Sequence, residues 1–126
     1  MQAPLSMGRR ANPGTVGCDY KITIGTTGAV AKVRGMWLKD SAPPVRQSAG
    51  QYLMTFDRTP KELVCWTSSM LQQGTEILEP VVLTDTTNTN GQLVFQTRNG
   101  SGSPTDPTSG DIIYISIVFD EQGLQF

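Results

Sequence analysis

Short runs in which apolar and polar residues alternate constrain the fold of this chain more than any other feature. In the run 111–119, the odd positions from Ile113 to Phe119 are apolar, and the even positions include Tyr114 and Val118. Alternation with a period of two predicts a β-strand with two distinct faces. Because this run is apolar on both faces, we expect it to form a central strand of a sheet.

Similar runs recur along the chain, each bounded by residues that favour turns. They are 20–24, 29–34, 36–38 beyond Gly35, 45–47, 51–56, 63–71, 80–84 and 92–97. No apolar stripe of helical period extends beyond two turns. The chain is 126 residues long, which is the size of one domain. We therefore predict a single all-β domain over residues 18–126, an antiparallel β-sandwich of about eight strands resembling a jelly roll. A closed barrel is the alternative.

The amino-terminal segment, residues 1–17, has a different composition. It holds no acidic residue, two prolines, three glycines and the pair Arg9 and Arg10. This pattern is typical of an extended arm. We expect the arm to dock on a neighbouring subunit or shell, with Leu5 and Met7 as apolar anchors and the two arginines on acidic rims. An arm folded back on its own sandwich is the alternative.

The absence of histidine removes most of the chemistry of enzymes and metal sites. Without an imidazole there is no Ser-His-Asp or Cys-His catalysis, and the commonest zinc and iron ligand is missing. The candidate oxygen ligands Asp85, Asp106 and Asp111 lack the spacing of a calcium loop. We therefore expect a protein that is not an enzyme and that holds no cofactor and no metal.

The two cysteines, Cys18 and Cys65, are too few to close a tetrahedral zinc site. Chains held together by disulfides are much richer in cysteine, so we expect free thiols. Cys65 lies in the apolar run 63–66, which predicts a buried side chain. A disulfide between the two stays open as an alternative.

Charge is distributed unevenly along the chain. Residues 1–61 carry nine basic and three acidic side chains, whereas residues 62–126 carry one basic and eight acidic ones. If strands of both halves intermix, this asymmetry cancels in space. If they do not, the domain has a basic and an acidic face suited to head-to-tail contacts with copies of itself or to contacts with a charged lattice. The basic residues are scattered and the sequence pI is near 5.2, so we expect no nucleic-acid partner. No apolar run approaches the roughly 20 residues of a membrane span.

The two tryptophans are candidate interface anchors, because aromatic side chains are enriched at binding hot spots. Trp66 lies in a strand pattern that predicts core packing. Trp37 fits either role, and we keep it as a candidate interface residue.

Three segments together carry a family resemblance. They are Val45 to Asp57, which contains the pattern G-x-Y-x-x-x-F, the apolar strand Leu63 to Trp66, and the late strand from Gly110 to Phe119, which opens with Gly-Asp. This organisation, over residues 28–119, resembles the β-sandwich structural proteins of tailed-phage virions. Short single-domain members of that group are commonly capsid decoration, or cement, proteins.

The resemblance implies a function and a set of partners. It implies binding to the outer surface of a phage capsid, where the protein would staple neighbouring major capsid protein subunits. It also implies self-association as a homotrimer or other homo-oligomer, and a place on the virion exterior after synthesis in the host cytoplasm. The alternative is a receptor- or carbohydrate-binding sandwich of a tail fibre or spike. No heptad or collagen-like shaft repeat is present, which favours decoration.

Overall fold

A computed structural model describes residues 14–121 and places them in two four-stranded antiparallel sheets packed face to face. The strands are β1 (Thr15–Ile24), β2 (Val30–Arg34), β3 (Val45–Ser48), β4 (Gln51–Thr55), β5 (Glu62–Leu71), β6 (Glu79–Thr86), β7 (Gln92–Arg98) and β8 (Ile112–Asp120). A 3₁₀ turn, Thr26–Gly28, follows β1, and the single helical turn α1 (Thr87–Asn90) precedes β7. None of the helical segments in this part of the chain could span a membrane. The predicted β-sandwich is confirmed.

The first and last of these strands form the middle of one sheet. Its order is β2-β1-β8-β5, and that of the other sheet is β3-β4-β7-β6. β1 and β8 pair along their whole length, from Thr15 opposite Asp120 to Thr23 opposite Ile112. The prediction that residues 111–119 form a central strand is therefore confirmed.

The core lies between the two sheets and is built from the inward-facing positions that the alternation predicted. Tyr52, Met54 and Phe56 are at most 3% exposed, and the inward residues of β8 are equally buried. Aromatic rings join the layers, because Phe56 packs edge-on against Phe119 with ring centroids 5.4 Å apart. Burial of a large apolar side chain stabilises a fold by about 1.5–3 kcal/mol, so this layer holds the sheets together.

The amino-terminal boundary of the sandwich differs from the expected one. β1 begins at Thr15, inside the segment 1–17 that we assigned to the arm. Residues 1–13 and 122–126 lie outside the described residues. The candidate arm contacts fall there, namely Leu5, Met7, Arg9 and Arg10.

Cys65 faces the opposite way from the prediction because β5 contains a β-bulge. The pairing of β5 with β8 skips Val64, so Leu63 and Trp66 both face inward and Cys65 faces out. Cys65 is exposed, contrary to the expectation of a buried thiol, whereas Cys18 is fully buried on the inner face of β1. No disulfide joins the two, because they lie on opposite faces and on strands separated by β8.

Candidate protein-binding sides of the sandwich

The edge strands of the two sheets meet in pairs and form two open sides. On one side β5 lies beside β6, and Ser68 Oγ donates a hydrogen bond of 2.9 Å to the carbonyl oxygen of Pro80. On the other side β2 lies near β3, and Val30, Pro44 and Val45 line a groove of about 310 Å³ between them. Each side therefore presents two strand edges.

This strand order separates the charges of the chain. Each sheet contains strands from both halves of the sequence, so charge mixes on the sheet faces. The strands of the first half, however, lie at one end of each sheet, and those of the second half at the other. We call residues 28–48 the basic side and residues 62–86 the acidic side. Four basic residues and one acidic residue lie on the basic side, against four acidic residues and no basic one on the acidic side.

Most exposed large apolar side chains lie on these two sides. Among the described residues there are seven, and six of them belong to these two sides, whereas Tyr114 lies on the central strand β8. Met36 and Val45 belong to the basic side. The acidic side holds four, of which Ile77 is 82% exposed. The four are Val64, Leu71, Ile77 and Leu83.

Two of these residues are placed by β-bulges. The pairing of β6 with β7 skips Leu83, just as the pairing of β5 with β8 skips Val64. A bulge inserts an extra residue into an edge strand and re-aims its side chain. Both bulges therefore add exposed apolar surface to the acidic side. Strict alternation did not reveal them, and only the unusually long apolar runs 63–66 and 81–83 hinted at an extra residue.

A groove of about 560 Å³ runs between the two strands of the acidic side. Its lining includes Trp66, Glu79 and Val82. The Trp66 ring is half-buried against Phe95, with centroids 5.8 Å apart, as its strand pattern predicted. The Trp66 Nε1 is buried and has no hydrogen-bond partner. Thr67 and Ser68 also line it, so the groove combines apolar and hydroxyl side chains with one carboxylate, that of Glu79.

The basic side is braced by the connection between β7 and β8. Asp106 accepts hydrogen bonds from Arg46 Nε and Nη2, both at 2.9 Å, and from the backbone N–H of Gly50 at 2.8 Å. The hydrogen bond from Arg46 holds the pKa of the Asp106 carboxyl below its usual value. Asp106 itself raises the pKa of Arg46. Arg46 thus stays protonated, and its charge is compensated by that of Asp106, so the uncompensated positive charge of this side comes from Lys32, Arg34 and Lys39.

Asp111 secures the end of the same connection. Its side chain is fully buried and accepts the backbone N–H groups of Gln73 at 2.6 Å and Thr108 at 2.8 Å. The Gly110-Asp111 pair thus ties β8 to the segment that leads into β6. Asp85 likewise accepts from the N–H and hydroxyl of Thr87. Within residues 14–121, no group of three Asp, Glu or Cys side chains is placed to hold a metal ion.

Trp37 packs within its own sandwich. Its backbone is left-handed, with a φ of 69°, which is unusual for a bulky residue. Its ring stacks on Phe119 with centroids 5.7 Å apart, and the guanidinium of Arg58 lies 4.0 Å from the ring centroid. Trp37 lines none of the grooves described here, and its role at an interface stays a prediction.

The outer face of the β2-β1-β8-β5 sheet carries a shallow, polar groove of about 320 Å³. Tyr114 is 40% exposed at this groove, and Asp19, Thr67 and Ser116 line it. Hydroxyl and carboxylate groups beside an aromatic ring can bind a polar ligand such as a sugar.

Comparison with known proteins gives no family assignment. No protein-family model matches the chain, and neither a curated protein nor a solved structure matches it significantly.

Proposed function

We propose that this protein is a structural component of a phage particle, a decoration protein that binds the outer surface of the capsid and staples neighbouring major capsid protein subunits. The observation that supports this most is the concentration of exposed apolar side chains along two open strand-edge sides. Surface of that kind favours contact with other proteins, because its burial releases water. The family resemblance supplies the identity of the partner.

The amino-terminal arm is the part that we assign to the shell. Leu5 and Met7 supply apolar anchors, and Arg9 and Arg10 supply charge for acidic rims.

Co-sedimentation of the purified protein with phage capsids that lack it tests the proposal. We expect saturable, stoichiometric binding that is lost when residues 1–10 are deleted or when Leu5 and Met7 are both replaced by serine. Replacement of Gln2 and Ser6 by alanine in the same arm is the matched control and should bind normally. Absence of binding by the intact protein would refute the function, and undiminished binding after the deletion would refute the role of the arm.

Carbohydrate binding is the second candidate, and the Tyr114 groove is the observation that favours it. An exposed aromatic ring beside a carboxylate and hydroxyl groups suits the stacking and hydrogen bonding of a sugar. Retention of the protein on a glycan surface, lost in Tyr114→Ala, together with no capsid binding, would establish this alternative in place of decoration.

A further inference from the structure

We propose that copies of this chain bind each other head to tail, with the basic side of one copy against the acidic side of the next. The occupant of each open side is thus a second copy. The two sides lie on the same domain, carry opposite charge, and both expose apolar residues. This inference goes beyond capsid binding and depends on different residues.

Charge complementarity is the first argument. Lys32, Arg34 and Lys39 are exposed on the basic side, and Asp40 is the only acidic residue there. Residues 62–86, on the acidic side, contain no basic residue and four acidic ones, Glu62, Glu76, Glu79 and Asp85, and only Glu79 has a basic residue opposite it in the strand pairing, namely Arg98 of β7. Like sides repel and unlike sides attract, so an isologous contact between two basic or two acidic sides is disfavoured.

Apolar exposure is the second argument. Met36 is 47% exposed and Val45 is 50% exposed on the basic side, opposite in the proposed contact to the bulged residues Val64 and Leu83 and to Ile77. These side chains would be removed from water only if another surface covered them. An apolar centre ringed by complementary charge is the usual anatomy of a protein interface.

The contact is made by side chains rather than by one continuous ladder of backbone hydrogen bonds. Bulges at Val64 and Leu83 interrupt both edges of the acidic side, and Pro80 removes one donor from β6. Such edges resist non-specific strand pairing. Binding between copies therefore depends on charge complementarity and on the packing of apolar side chains. A head-to-tail contact uses two different surfaces, and it produces a closed ring or an open filament depending on the rotation between copies.

Charge reversal on each side separately, followed by mixing, tests the inference. The first variant carries Lys32→Glu and Arg34→Glu, and the second carries Glu62→Lys, Glu76→Lys and Glu79→Lys. Each variant then has two sides of like charge, so we expect its self-association to weaken at least tenfold. Mixed together, the two variants should assemble with each other. The matched control, Lys32→Arg with Arg34→Lys, keeps the charge and should behave as the wild type.

Sedimentation velocity of the protein without capsids, over a concentration series, provides the measurement. Self-association of the wild type should weaken as the salt concentration is raised from about 0.05 M to 0.5 M, because salt screens the attraction between the two charged sides. Rescue in the mixture shows that both variants fold and that the two sides meet. A monomeric wild type at all concentrations, or failure of the mixture to assemble while the control does, overturns the inference. Capsid binding by a monomeric protein would overturn it and leave the proposed function intact.

Discussion

Removal of the Asp111 carboxylate is the sharpest test of how this sandwich is held together. In Asp111→Ala, the backbone N–H groups of Gln73 and Thr108 lose their acceptor. An unsatisfied buried donor costs about 1–3 kcal/mol. Both amides are only partly buried, so water replaces some of the lost bonding, and we expect the lower part of this range. The two together give a loss of about 2–3 kcal/mol in the free energy of unfolding.

Urea unfolding followed by tryptophan fluorescence measures this loss. With a slope of about 1–3 kcal/mol per molar urea, the midpoint should fall by about 0.7–3 M. Asp111→Asn keeps one acceptor oxygen and should lie between the wild type and Asp111→Ala. The control is Asp40→Ala, which removes an exposed carboxylate and should change stability by no more than about 0.5 kcal/mol. If Asp111→Ala unfolds at the same urea concentration as Asp40→Ala, the two hydrogen bonds do not stabilise the fold and our reasoning is wrong.

Three other outcomes are expected. The hydrogen bond from Arg46 lowers the pKa of Asp106 in the folded protein. The ionised Asp106 therefore stabilises the fold fully at pH values above its unfolded pKa of about 3.9. That stabilisation is lost as the pH falls through the lower, folded pKa. Asp106→Asn should therefore lower stability at pH 7 and flatten its decline below about pH 4, and an unchanged acid limb in thermal melts would contradict this. Gly50→Ala should lower the free energy of unfolding by more than about 1 kcal/mol, because φ is +65° and an added Cβ would lie 2.5 Å from a backbone nitrogen of the β7–β8 connection. An unchanged melting temperature would contradict that close approach. A thiol reagent should modify Cys65 rapidly in the native protein and Cys18 only after denaturation, and fast labelling of both would contradict the assigned faces.

The sequence patterns predicted the sandwich well where one face is simply buried. Alternation in β4 and β8 identified the inward residues correctly, since a strand against a core must repeat every two positions. The alternation predicted the wrong faces around Val64, because an inserted residue changes the face of the positions that follow it. The amino-acid composition gives no sign of such an insertion. The exposure of Cys65 follows from that single insertion.

The candidate site was less predictable than the fold. The uneven charge along the chain was visible in the sequence, but its consequence depended on strand order. The same charges would have cancelled if β5 lay beside β2 rather than at the opposite edge. The sequence indicated Asp106 and Asp111 only as candidate oxygen ligands and Asp111 as part of the Gly110-Asp111 motif. Their structural hydrogen bonds were not visible there, since Arg46 and Gln73 lie far away along the chain. The close packing of Trp37 was equally hidden, because it depends on a left-handed backbone and on Arg58.

The adjacency of β1 and β8 has a consequence for how the protein is made. On the ribosome, β1 emerges first and its main partner emerges about 90 residues later, so the sheet lacks one of its two middle strands until β8 leaves the exit tunnel. During that interval β1 and β5 each expose an unpaired edge, and such edges are prone to aggregation. The domain should therefore gain its structure only after synthesis of β8. A nascent chain stalled before Ile112 should be digested by protease, whereas one released after Asp120 should resist.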